Sequence, residues 1–516
     1  MKALTALPER AHRGFVTVSV MLTTIMQALD TTIANVALPH MQGSMSATQD
    51  QISWVLTSYI VAAAIFMPMT GYLSGRLGRK RVFMSSVVGF TVASMLCGAA
   101  QSLEQIVLFR LLQGIFGASL VPLSQAVMLD TFPREKHGSA MAMWGIGVMV
   151  GPILGPTLGG WLTEYYSWRW VFYINLPFGL LAWFGLAAFV RETPIDRSRR
   201  FDLLGFAFLS LAIGALQMML DRGESLDWFS SREIVIEALV CAFAFYLFLA
   251  HIFTDKHPFI EPRLFADRNF SIGLVLIFVV GIVLLATMAL LPPMMQGLMN
   301  YPILDVGLLL APRGIGTMIA MFTVGRLSGK VDPRYMILFG LIVTSFSLWE
   351  MTRFTLDATR WIIIRTGVTQ GLGLGFVFVP LSTLTFSTLA PRYRNEGTGL
   401  FSLMRNIGSS IGISLVITYL SQRTQINHAA FADFINPYSF ALHRAVDAQA
   451  LNTATPQGLA AINVLVNRQA AMLAYLQDFR LMMWITLAAL PLLVLLRGPA
   501  RASRPLAAAD RAAALD

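Results

Sequence analysis

The chain has 516 residues, of which 56% are hydrophobic and 13% are charged, and its formal net charge is +10. Soluble domains carry about 25% charged residues, so this composition excludes a chain built from ordinary soluble domains. The basic residues lie in short connectors between apolar runs instead of on one face, which argues against a nucleic-acid-binding protein.

The apolar runs have the length of membrane-spanning helices, roughly 17–25 residues each, and they recur along the whole chain. They predict an all-α polytopic membrane protein with fourteen transmembrane helices in a 6+2+6 arrangement. The predicted spans, in chain order, are 15–38, 52–72, 82–100, 105–129, 138–163, 170–190, 203–221, 234–254, 270–291, 306–325, 335–352, 361–384, 397–420 and 479–497.

These spans predict how the chain is divided and oriented. The parts are an N-terminal tail (1–14), an N-terminal six-helix bundle (15–190), two inserted helices (203–254), a C-terminal six-helix bundle (270–497) that includes a long extracytoplasmic loop (421–478), and a C-terminal tail (498–516). The connector GRLGRKR (75–81) alone holds four of the 38 basic residues. Because cytoplasmic loops are enriched in Lys and Arg, both termini are predicted to be cytoplasmic.

The two six-helix bundles are predicted from a repeat within the sequence. GYLSGRLGRKRVF (71–83) resembles GRLSGKVDPRYMI (325–337), and VPLS occurs at 121–124 and again at 379–382. The dipeptide Pro133-Arg134 recurs as Pro391-Arg392 with the same spacing as VPLS. Two pseudo-symmetric bundles around a central cavity form the plan of many secondary transporters.

Asp30 is a carboxylate inside the first predicted span, whereas the other acidic residues fall in connectors or near span ends. It lies about 12 Å from the outer end of its helix, and Arg110 lies about 8 Å from the outer end of helix 4, at 1.5 Å per residue. The two side chains are therefore expected to meet. An ionisable group inside the membrane is a functional candidate by default, so Asp30 and Arg110 are predicted to couple transport to protons. The alternative is a static ion pair that holds two helices together.

Polar side chains near this pair predict the lining of the cavity. Gln27 and Thr31 share a helix face with Asp30, and Gln113 shares one with Arg110. The candidate cavity residues are Gln27, Thr31, Asn35, Gln113 and Arg313.

Three further arginines fall within the spans of the second bundle. Arg313, in the APRGIG segment of helix 10, is equally suited to contact substrate, to serve a gate or to make a structural pair. Arg365 is the approximate repeat counterpart of Arg110 and has no deep acid to pair with. Arg405 is expected to bond backbone carbonyl groups.

Glycines and prolines mark two packing devices. In GVMVGPILGPTLGGWL (147–162) the glycines recur every fourth residue, and such a bare stripe lets another helix approach closely, while each proline removes a backbone donor and bends the helix. The residues of this stripe are Gly147, Gly151, Pro152, Gly155, Pro156 and Gly159.

The connector between helices 2 and 3 is predicted to form a tight turn whose arginines bond helix C-terminal carbonyls and close an inside gate. Its candidate residues are Gly71, Gly75, Arg76, Gly78, Arg79 and Lys80. An anchor obeying the positive-inside rule would explain these charges but not the glycines.

The loop 421–478 contains a second amphipathic signal. Leu459, Ile462, Val466, Leu473 and Leu476 fall on one helical stripe. Two interpretations remain open, a helix that lies over helices 13 and 14 or a docking surface for a partner protein.

These motifs together resemble those of the major facilitator superfamily and, within it, the fourteen-helix drug/proton antiporters of the EmrB type. The resemblance is carried by LDTTIANVALP (29–39), GYLSGRLGRKR (71–81), FRLLQGIFGAS (109–119), GPILGPTLGG (151–160), WRWVFYINLPFG (168–179) and PRG (312–314). It implies that Asp30 and Arg110 couple protons and that the helix 5 glycines and prolines shape the alternating-access interface. The inside-gate motif of the family usually carries an acid where this chain has Gly75, and Asp130 and Glu135 are the candidates to replace it.

The predicted function is a proton-coupled antiporter that exports hydrophobic or amphipathic drugs and toxic compounds by alternating access. The alternative on the same fold is a dedicated exporter or carrier of one metabolite class, such as a fatty acid or siderophore. A membrane enzyme is disfavoured because the spans hold no HExxH motif and no Cys/His or Ser–His–Asp cluster. A passive channel is disfavoured by the glycine stripe and the single deep acid.

No cofactor or metal is expected, and protons are the predicted coupling ion. The resemblance further implies a location in the bacterial inner membrane. It also implies possible partnership with a periplasmic adaptor protein and an outer-membrane channel.

Overall fold

The computed structural model describes residues 9–196, 201–255, 257–435 and 455–498. Within these ranges the chain is helical, and its one β-pairing is the isolated bridge between Ser328 and Val331. The α-helices are α1 (Glu9–Met45), α2 (Gln49–Phe66), α3 (Met69–Leu77), α4 (Arg79–Ala99), α5 (Leu103–Gly117), α6 (Leu120–Thr131), α7 (His137–Tyr165), α8 (Trp170–Tyr173), α9 (Asn175–Phe189), α10 (Leu203–Arg222), α11 (Arg232–Thr254), α12 (Arg268–Pro293), α13 (Ile303–Leu327), α14 (Pro333–Met351), α15 (Arg360–Thr385), α16 (Arg394–Ala432), α17 (Pro456–Ala488) and α18 (Leu492–Leu495).

The predicted all-α membrane protein is confirmed. In the described part of the chain, twelve helical segments are long and apolar enough to cross a membrane, and the pair α2–α3, bent by 57°, makes thirteen. The helix α14 lies where the eleventh span is predicted but is not among these segments. The count of fourteen therefore stays a prediction.

The two halves of the chain are built in parallel ways. In the first half α1 packs against α7, and in the second half α12 packs against α16 in the corresponding place. The repeated Pro-Arg dipeptides both fall at 3₁₀ segments, Arg134–Lys136 before α7 and Pro391–Tyr393 before α16. The halves meet where α7 packs against α13, and the inserted helix α10 lies against α2.

The region predicted as the loop 421–478 is largely helical where the structure describes it. The helix α16 continues to Ala432, and α17 begins at Pro456, where the backbone N–H of Gly458 donates to the Thr455 hydroxyl at 3.1 Å. The two helices pair outside the predicted membrane layer, and the Asn427 amide donates to the Ala470 carbonyl at 3.2 Å. Residues 436–454 lie outside the described part of the chain.

The predicted stripe in this region is only partly buried. Ile462 is buried, whereas Leu459 is 51% exposed. The buried face instead runs through Ile462, Ala470, Ala474 and Asp478, which are four or eight residues apart, with Val466 of the predicted stripe half-buried between the first two. The segment is therefore helical, as the stripe predicts, but it continues into the last predicted span as one helix and does not lie over helices 13 and 14; the docking surface stays a prediction.

Exposed aromatic residues mark the predicted outer end of the bundle. They lie near the last turn of α7, in α8, at the facing ends of α14 and α15, and where α16 and α17 pair. These residues are Trp161, Tyr165, Tyr166, Trp170, Trp349, Trp361 and Trp484, and the half-buried Tyr419 lies among them. Trp and Tyr are enriched at membrane–water interfaces, so this belt gives the level of that interface.

Candidate functional site

The structure brings Asp30 of α1 and Arg110 of α5 together. Arg110 Nη1 donates to Asp30 Oδ2 at 2.7 Å, and both residues are fully buried. Taking an ion pair out of water costs free energy unless further hydrogen bonds satisfy the remaining polar atoms. The neighbours of the two groups therefore decide whether the pair is a stable arrangement.

The carboxylate of Asp30 accepts hydrogen bonds from two further side chains. Gln113 Nε2 and Asn175 Nδ2 each donate to Oδ1 at 2.8 Å. Asn175 also donates to the Ser94 hydroxyl at 2.9 Å. Asn175 and Ser94 were not identified from the sequence, although Asn175 lies within the WRWVFYINLPFG segment (168–179). The carboxylate thus has three donors from two helices, because Arg110 and Gln113 both belong to α5 and Asn175 belongs to α9.

The guanidinium group of Arg110 is enclosed in a similar way. Its Nε donates to the Val55 carbonyl at 3.1 Å, and its Nη1 also donates to Gln113 Oε1 at 2.7 Å. The group lies 4.4 Å from the ring centroid of Tyr59 and 5.7 Å from that of Phe172. Aromatic faces attract cations, so these rings stabilise the charge where water is absent.

The other predicted cavity residues of the first half occupy different surroundings. Gln27 donates to the Tyr59 hydroxyl at 3.1 Å, which connects it to the ring over Arg110. The Thr31 hydroxyl bonds its own helix, and Asn35 is exposed. Gln113 is fully buried beside Asp30, and its place in the lining of the cavity stays a prediction.

The second half holds an uncharged counterpart of this site. Thr287 follows Asp30, and Gln370 follows Gln113, at the same spacing of 257 residues. Gln370 Nε2 donates to the Thr287 hydroxyl at 3.1 Å, as Gln113 does to Asp30. At this spacing Arg110 corresponds to Gly367, so both charges of the pair are replaced together.

Arg365 is therefore not the structural counterpart of Arg110. Its guanidinium pairs with Glu350 at 2.5 Å, and its side chain is 53% exposed. Arg365 thus has an acidic partner, but not a deep one, because Glu350, near the end of α14, lies within reach of the first turns of α15.

The remaining two arginines lie deep in the second half without an acidic partner in the described chain. Arg313 is nearly fully buried, and its Nη2 donates to the Leu284 carbonyl at 3.4 Å. Arg405 makes no hydrogen bond or ion pair through its side chain to another described residue, so the expected bonds to backbone carbonyls are absent. The α16 backbone at Arg405 packs against Gly281, one turn of α12 before Leu284. The two arginines thus flank neighbouring turns of one helix.

Another acid, Asp478, is fully buried within the protein, although it lies just outside the last predicted span (479–497) and so leaves the prediction of a single acid deep within the spans untested. It belongs to α17, and neither of its oxygens has a hydrogen-bond partner among the residues that the structure describes. Its neighbours Tyr475, Phe479 and Met482 belong to an apolar cluster of the second half. Asp478 thus differs from Asp30, whose carboxylate has three hydrogen-bond donors. Because a buried polar group without a partner destabilises a fold, Asp478 is expected to lower the stability of the protein.

The glycine stripe of α7 packs against α1, the helix that carries Asp30. A Cβ atom added at Gly151 would lie 2.7 Å from Ala28 Cβ, and one at Gly159 would lie 2.9 Å from Ile33 Cγ1. At Gly147 the nearest atoms, those of Met21, are 3.6 Å away.

The close approach within this stripe is supported by the Thr32 hydroxyl, which donates to the Gly151 carbonyl at 3.0 Å. Gly155 faces the same Thr32 side chain. The expected close packing is present, and it lies within the first half. The contact with the second half uses another face of α7, where Ile153 meets Gly314 of α13. Pro152 and Pro156 lie within α7 beside this stripe.

An ion-pair cluster joins the two halves at the predicted cytoplasmic end. Arg79 Nη1 lies 2.6 Å from Asp130 Oδ2, and Arg394 of α16 pairs with the other oxygen of Asp130. Arg79 also donates to Asn395 Oδ1 at 3.3 Å. Asp130 thus provides an acid at the gate where Gly75 does not, and it was one of the two candidates from the sequence.

The other residues of the gate connector have mostly local roles. Gly71 allows a close approach between the halves, because an added Cβ would lie 2.8 Å from Glu396 Cα. Gly78 adopts a φ of 94°, which favours glycine. Lys80 Nζ, not one of the arginines, donates to a carbonyl in the last turn of α9, that of Ala187, at 2.6 Å. Arg76 donates to the Tyr72 hydroxyl at 2.6 Å.

Gly75, the last of these residues, accepts a backbone hydrogen bond from Asp196 at 2.9 Å. This bond joins the connector to the segment that follows α9. The predicted gate is therefore divided between Gly71 and Arg79, which reach the second half, and residues that shape the turn.

Comparison with known proteins identifies the fold that carries this site. The sequence profile described as Major Facilitator Superfamily matches residues 20–413. The chain belongs to the major facilitator superfamily. Among solved structures of that fold, the human organic anion transporter MFSD10 (TETRAN) aligns with a TM-score of 0.58 at 15% identity, covering 93% of this chain and 100% of the other.

Curated relatives support the resemblance to EmrB-type members of the superfamily. The fatty acid resistance protein FarB of Neisseria gonorrhoeae is 37% identical over 466 residues, covering 87% of this chain and 91% of its own. The multidrug export protein EmrB of Escherichia coli K12 is 36% identical over 438 residues, covering 84% and 85%. The predicted superfamily and subfamily are thereby confirmed.

Proposed function

We propose that this chain exports hydrophobic and amphipathic toxic compounds across the membrane in exchange for protons. Efflux of drugs or toxic compounds on this fold follows from the relatives described above, one of which is a multidrug export protein and another a fatty acid resistance protein. The exchange with protons is the finer part of the proposal, and the Asp30 site carries it.

The supporting observation is a buried carboxylate whose one charged partner in the described chain is an arginine on another helix. Asp30 and Arg110 satisfy each other in the ionised state. A proton on Asp30 removes the negative charge that pairs with Arg110. The guanidinium group, which lies against the ring of Tyr59 next to Gln27, then loses its ion pair. One elementary charge crossing the membrane field gains about 2.3 kcal/mol per 100 mV. Protonation of one such site therefore couples a useful driving force to a change in helix packing.

The conformation fits one step of an alternating-access cycle. The cluster formed by Arg79, Asp130 and Arg394 joins the halves at the predicted cytoplasmic end, and Asp30 is shielded from water. In the proposed cycle, a proton from the outside reaches Asp30 in a more open state. Its arrival is followed by separation of this cluster and by exposure of the cavity to the cytoplasm.

A dedicated carrier of one anionic class is the second candidate, and the arginines of the second half favour it. Arg313 and Arg405 have no acidic partner among the described residues and flank neighbouring turns of α12. Such cations suit the carboxylate of an amphipathic anion, and the relative FarB is named for fatty acid resistance. Broad competition between anionic, neutral and cationic compounds for efflux would contradict this candidate and favour multidrug export.

The setting of the transporter is part of the proposal. We place it in the bacterial inner membrane with both termini in the cytoplasm, on the strength of the basic connectors. A periplasmic adaptor protein and an outer-membrane channel are proposed partners on the basis of the EmrB-type resemblance alone. A reporter enzyme fused to either terminus, active only in the cytoplasm, tests the orientation.

Efflux from proteoliposomes tests the proton coupling. Wild-type protein is expected to drive substrate uphill under an imposed pH gradient and to exchange labelled for unlabelled substrate without one. Asp30→Asn is expected to keep the exchange and lose the gradient-driven component. Asp478→Asn is the matched control, because it changes another fully buried acid without touching the Asp30 network. Unchanged gradient-driven efflux in Asp30→Asn would refute the coupling role.

A further inference from the structure

A groove of about 270 Å³ opens between α16 and α17 at the predicted outer end of the bundle. It lies on the outside of the second half, away from Asp30 and from the contact between the halves. The residues that line it are Tyr419, Arg423, Gln477, Arg480, Leu481 and Trp484. Ligand pockets for drug-sized molecules measure roughly 300–1,000 Å³, so this groove is of a size for a smaller group.

The lining of the groove is cationic. It includes Arg423 and Arg480 but no acidic residue. Neither arginine has an ion pair or a hydrogen bond through its side chain to another described residue. The guanidinium group of Arg423 lies 4.9 Å from the ring centroid of Tyr419, which holds it at the groove. The acid Asp478 is buried and does not line the groove. Two cations are therefore presented together without a counter-charge from the described residues.

The groove lies at the level of the membrane interface. Tyr419 and Trp484 belong to the aromatic belt, and Trp484 is 60% exposed. Phe479 of α17 packs against Phe354, with 6.2 Å between the ring centroids. The chain enters the predicted membrane after Phe479 and leaves it before Phe354. Trp484 is therefore five residues further into the membrane than Phe479, and Trp349 is five residues further in than Phe354. Trp484 therefore lies at the same depth as Trp349 on α14.

We propose that this groove binds the phosphodiester headgroup of an anionic phospholipid from the outer leaflet of the membrane. Phosphate oxygens accept hydrogen bonds from guanidinium groups in a planar, two-pronged geometry. The aromatic and aliphatic lining, Trp484 and Leu481, is placed to contact the glycerol and upper acyl chain of the same molecule. The site also accounts for two arginines at an outer boundary, where the positive-inside rule disfavours them. The choice of the outer leaflet rests on the proposed orientation of the chain, whereas the site does not depend on the proposed substrates or on proton coupling.

Quenching of tryptophan fluorescence by brominated lipids tests the site directly. The full chain is reconstituted in mixed vesicles of phosphatidylcholine and phosphatidylglycerol, with one or the other brominated, and the signal of Trp484 is taken as the difference from Trp484→Phe. Each cation at an anionic surface favours binding by about fivefold. Wild type is therefore expected to prefer phosphatidylglycerol at this position by roughly 30-fold.

Substitutions assign this preference to the two arginines. The double variant Arg423→Gln/Arg480→Gln is expected to bring the preference close to unity, and Arg423→Lys/Arg480→Lys is expected to retain most of it. Arg353→Gln is the matched control, because Arg353 also stacks on an aromatic ring, 3.7 Å from the centroid of Trp349, but does not line the groove. An equal loss in this control would show a general surface-charge effect and overturn the proposal.

Two further results distinguish a lipid site from a site for free anions and from a surface with no lipid preference. Millimolar inorganic phosphate is expected to leave the lipid preference unchanged, and loss of the preference in phosphate would overturn the proposal by indicating a site for free anions. Equal quenching by the two brominated lipids in wild-type protein would overturn it without recourse to any variant.

Discussion

The packing of α7 on α1 gives a test in which the same substitution has opposite outcomes one turn apart. We expect Gly151→Ala to disrupt the protein and Gly147→Ala to be tolerated. A Cβ at Gly151 would lie 2.7 Å from Ala28 Cβ and closer still to the Ala28 carbonyl group. Carbon atoms pack best at about 3.5–4.0 Å, so α1 must retreat by roughly 1 Å. At Gly147 the nearest atoms are already 3.6 Å away, and no movement is required.

The magnitude follows from the cost of overpacking a close-packed interior, which is about 1–3 kcal/mol. For the N-terminal six-helix bundle (15–190), a loss of this free energy lowers the apparent melting temperature by roughly 2–10 °C. The displaced segment is two residues from Asp30, so its contact with Arg110 at 2.7 Å is also disturbed. We therefore expect Gly151→Ala to lose gradient-driven efflux as well as stability.

Thermal unfolding of the purified variants, followed by intrinsic fluorescence, measures the stability, and the proteoliposome assay measures efflux. Gly147→Ala is expected to melt at or slightly above the wild-type temperature, because the added methyl group makes ordinary contact with Met21 and alanine is favoured over glycine within a helix by about 0.5–1 kcal/mol. Equal melting temperatures for the two alanine variants would refute the argument from close approach.

Three further predictions concern polar groups. Asp130→Asn removes two partly exposed ion pairs, each contributing about 0.2–1 kcal/mol; hydrogen exchange at the start of α16 should rise by up to roughly 30-fold, and unchanged exchange would contradict the gate role. Asn175→Ala removes one of three donors to Asp30 and should lower the free energy of unfolding by about 1–3 kcal/mol; a neutral result would mean that this hydrogen bond contributes little. Asp478→Val removes an unpartnered buried carboxyl group and should raise that free energy by about 1–3 kcal/mol, so that a lower melting temperature would disprove the described isolation of Asp478.

The sequence was sufficient to find the Asp30–Arg110 pair, because a charged residue within an apolar run can be recognised without knowledge of the fold. Depth could be counted from the span ends, and the two depths matched. Asn175 was not conspicuous, because an uncharged amide is unremarkable within a helix, and its distance from Asp30 depends on how α9 packs. The donors that complete the site are therefore a property of the packed bundle.

Repeat matching was limited by its register. The sequence matches between the halves differ in spacing, 254 residues for the GYLSGRLGRKRVF segment and 258 for VPLS, so they leave the register uncertain by a few residues. An error of two residues turns a side chain by about 200°, to the opposite face of its helix. Arg365 was assigned as the counterpart of Arg110 for this reason, whereas the hydrogen bond between Gln370 and Thr287 fixes the register. That bond could not be read from the sequence.

Hydropathy also misjudged the segment before the last span. Residues between Ala432 and Asp478 are polar enough to resemble a loop, but a helix paired with one neighbour needs only one apolar face. The helix α17 therefore begins at Pro456, and Asp478, expected at a loop boundary, lies inside it. The same shift explains why its burial was not anticipated.

The uncharged counterpart of the Asp30 site bears on how such a site is gained or lost in duplicated proteins. One half holds an acid with a base, and the other holds Thr287 opposite Gly367. A change at only one of the two positions would leave a buried charge without its partner, at a cost of about 3–5 kcal/mol. Descent from a common half thus favours sequences in which both positions are charged or neither is. The acid and the base are therefore expected to be gained or lost together. In this chain the first half keeps the charged pair and the second half does not, so the two halves have different roles.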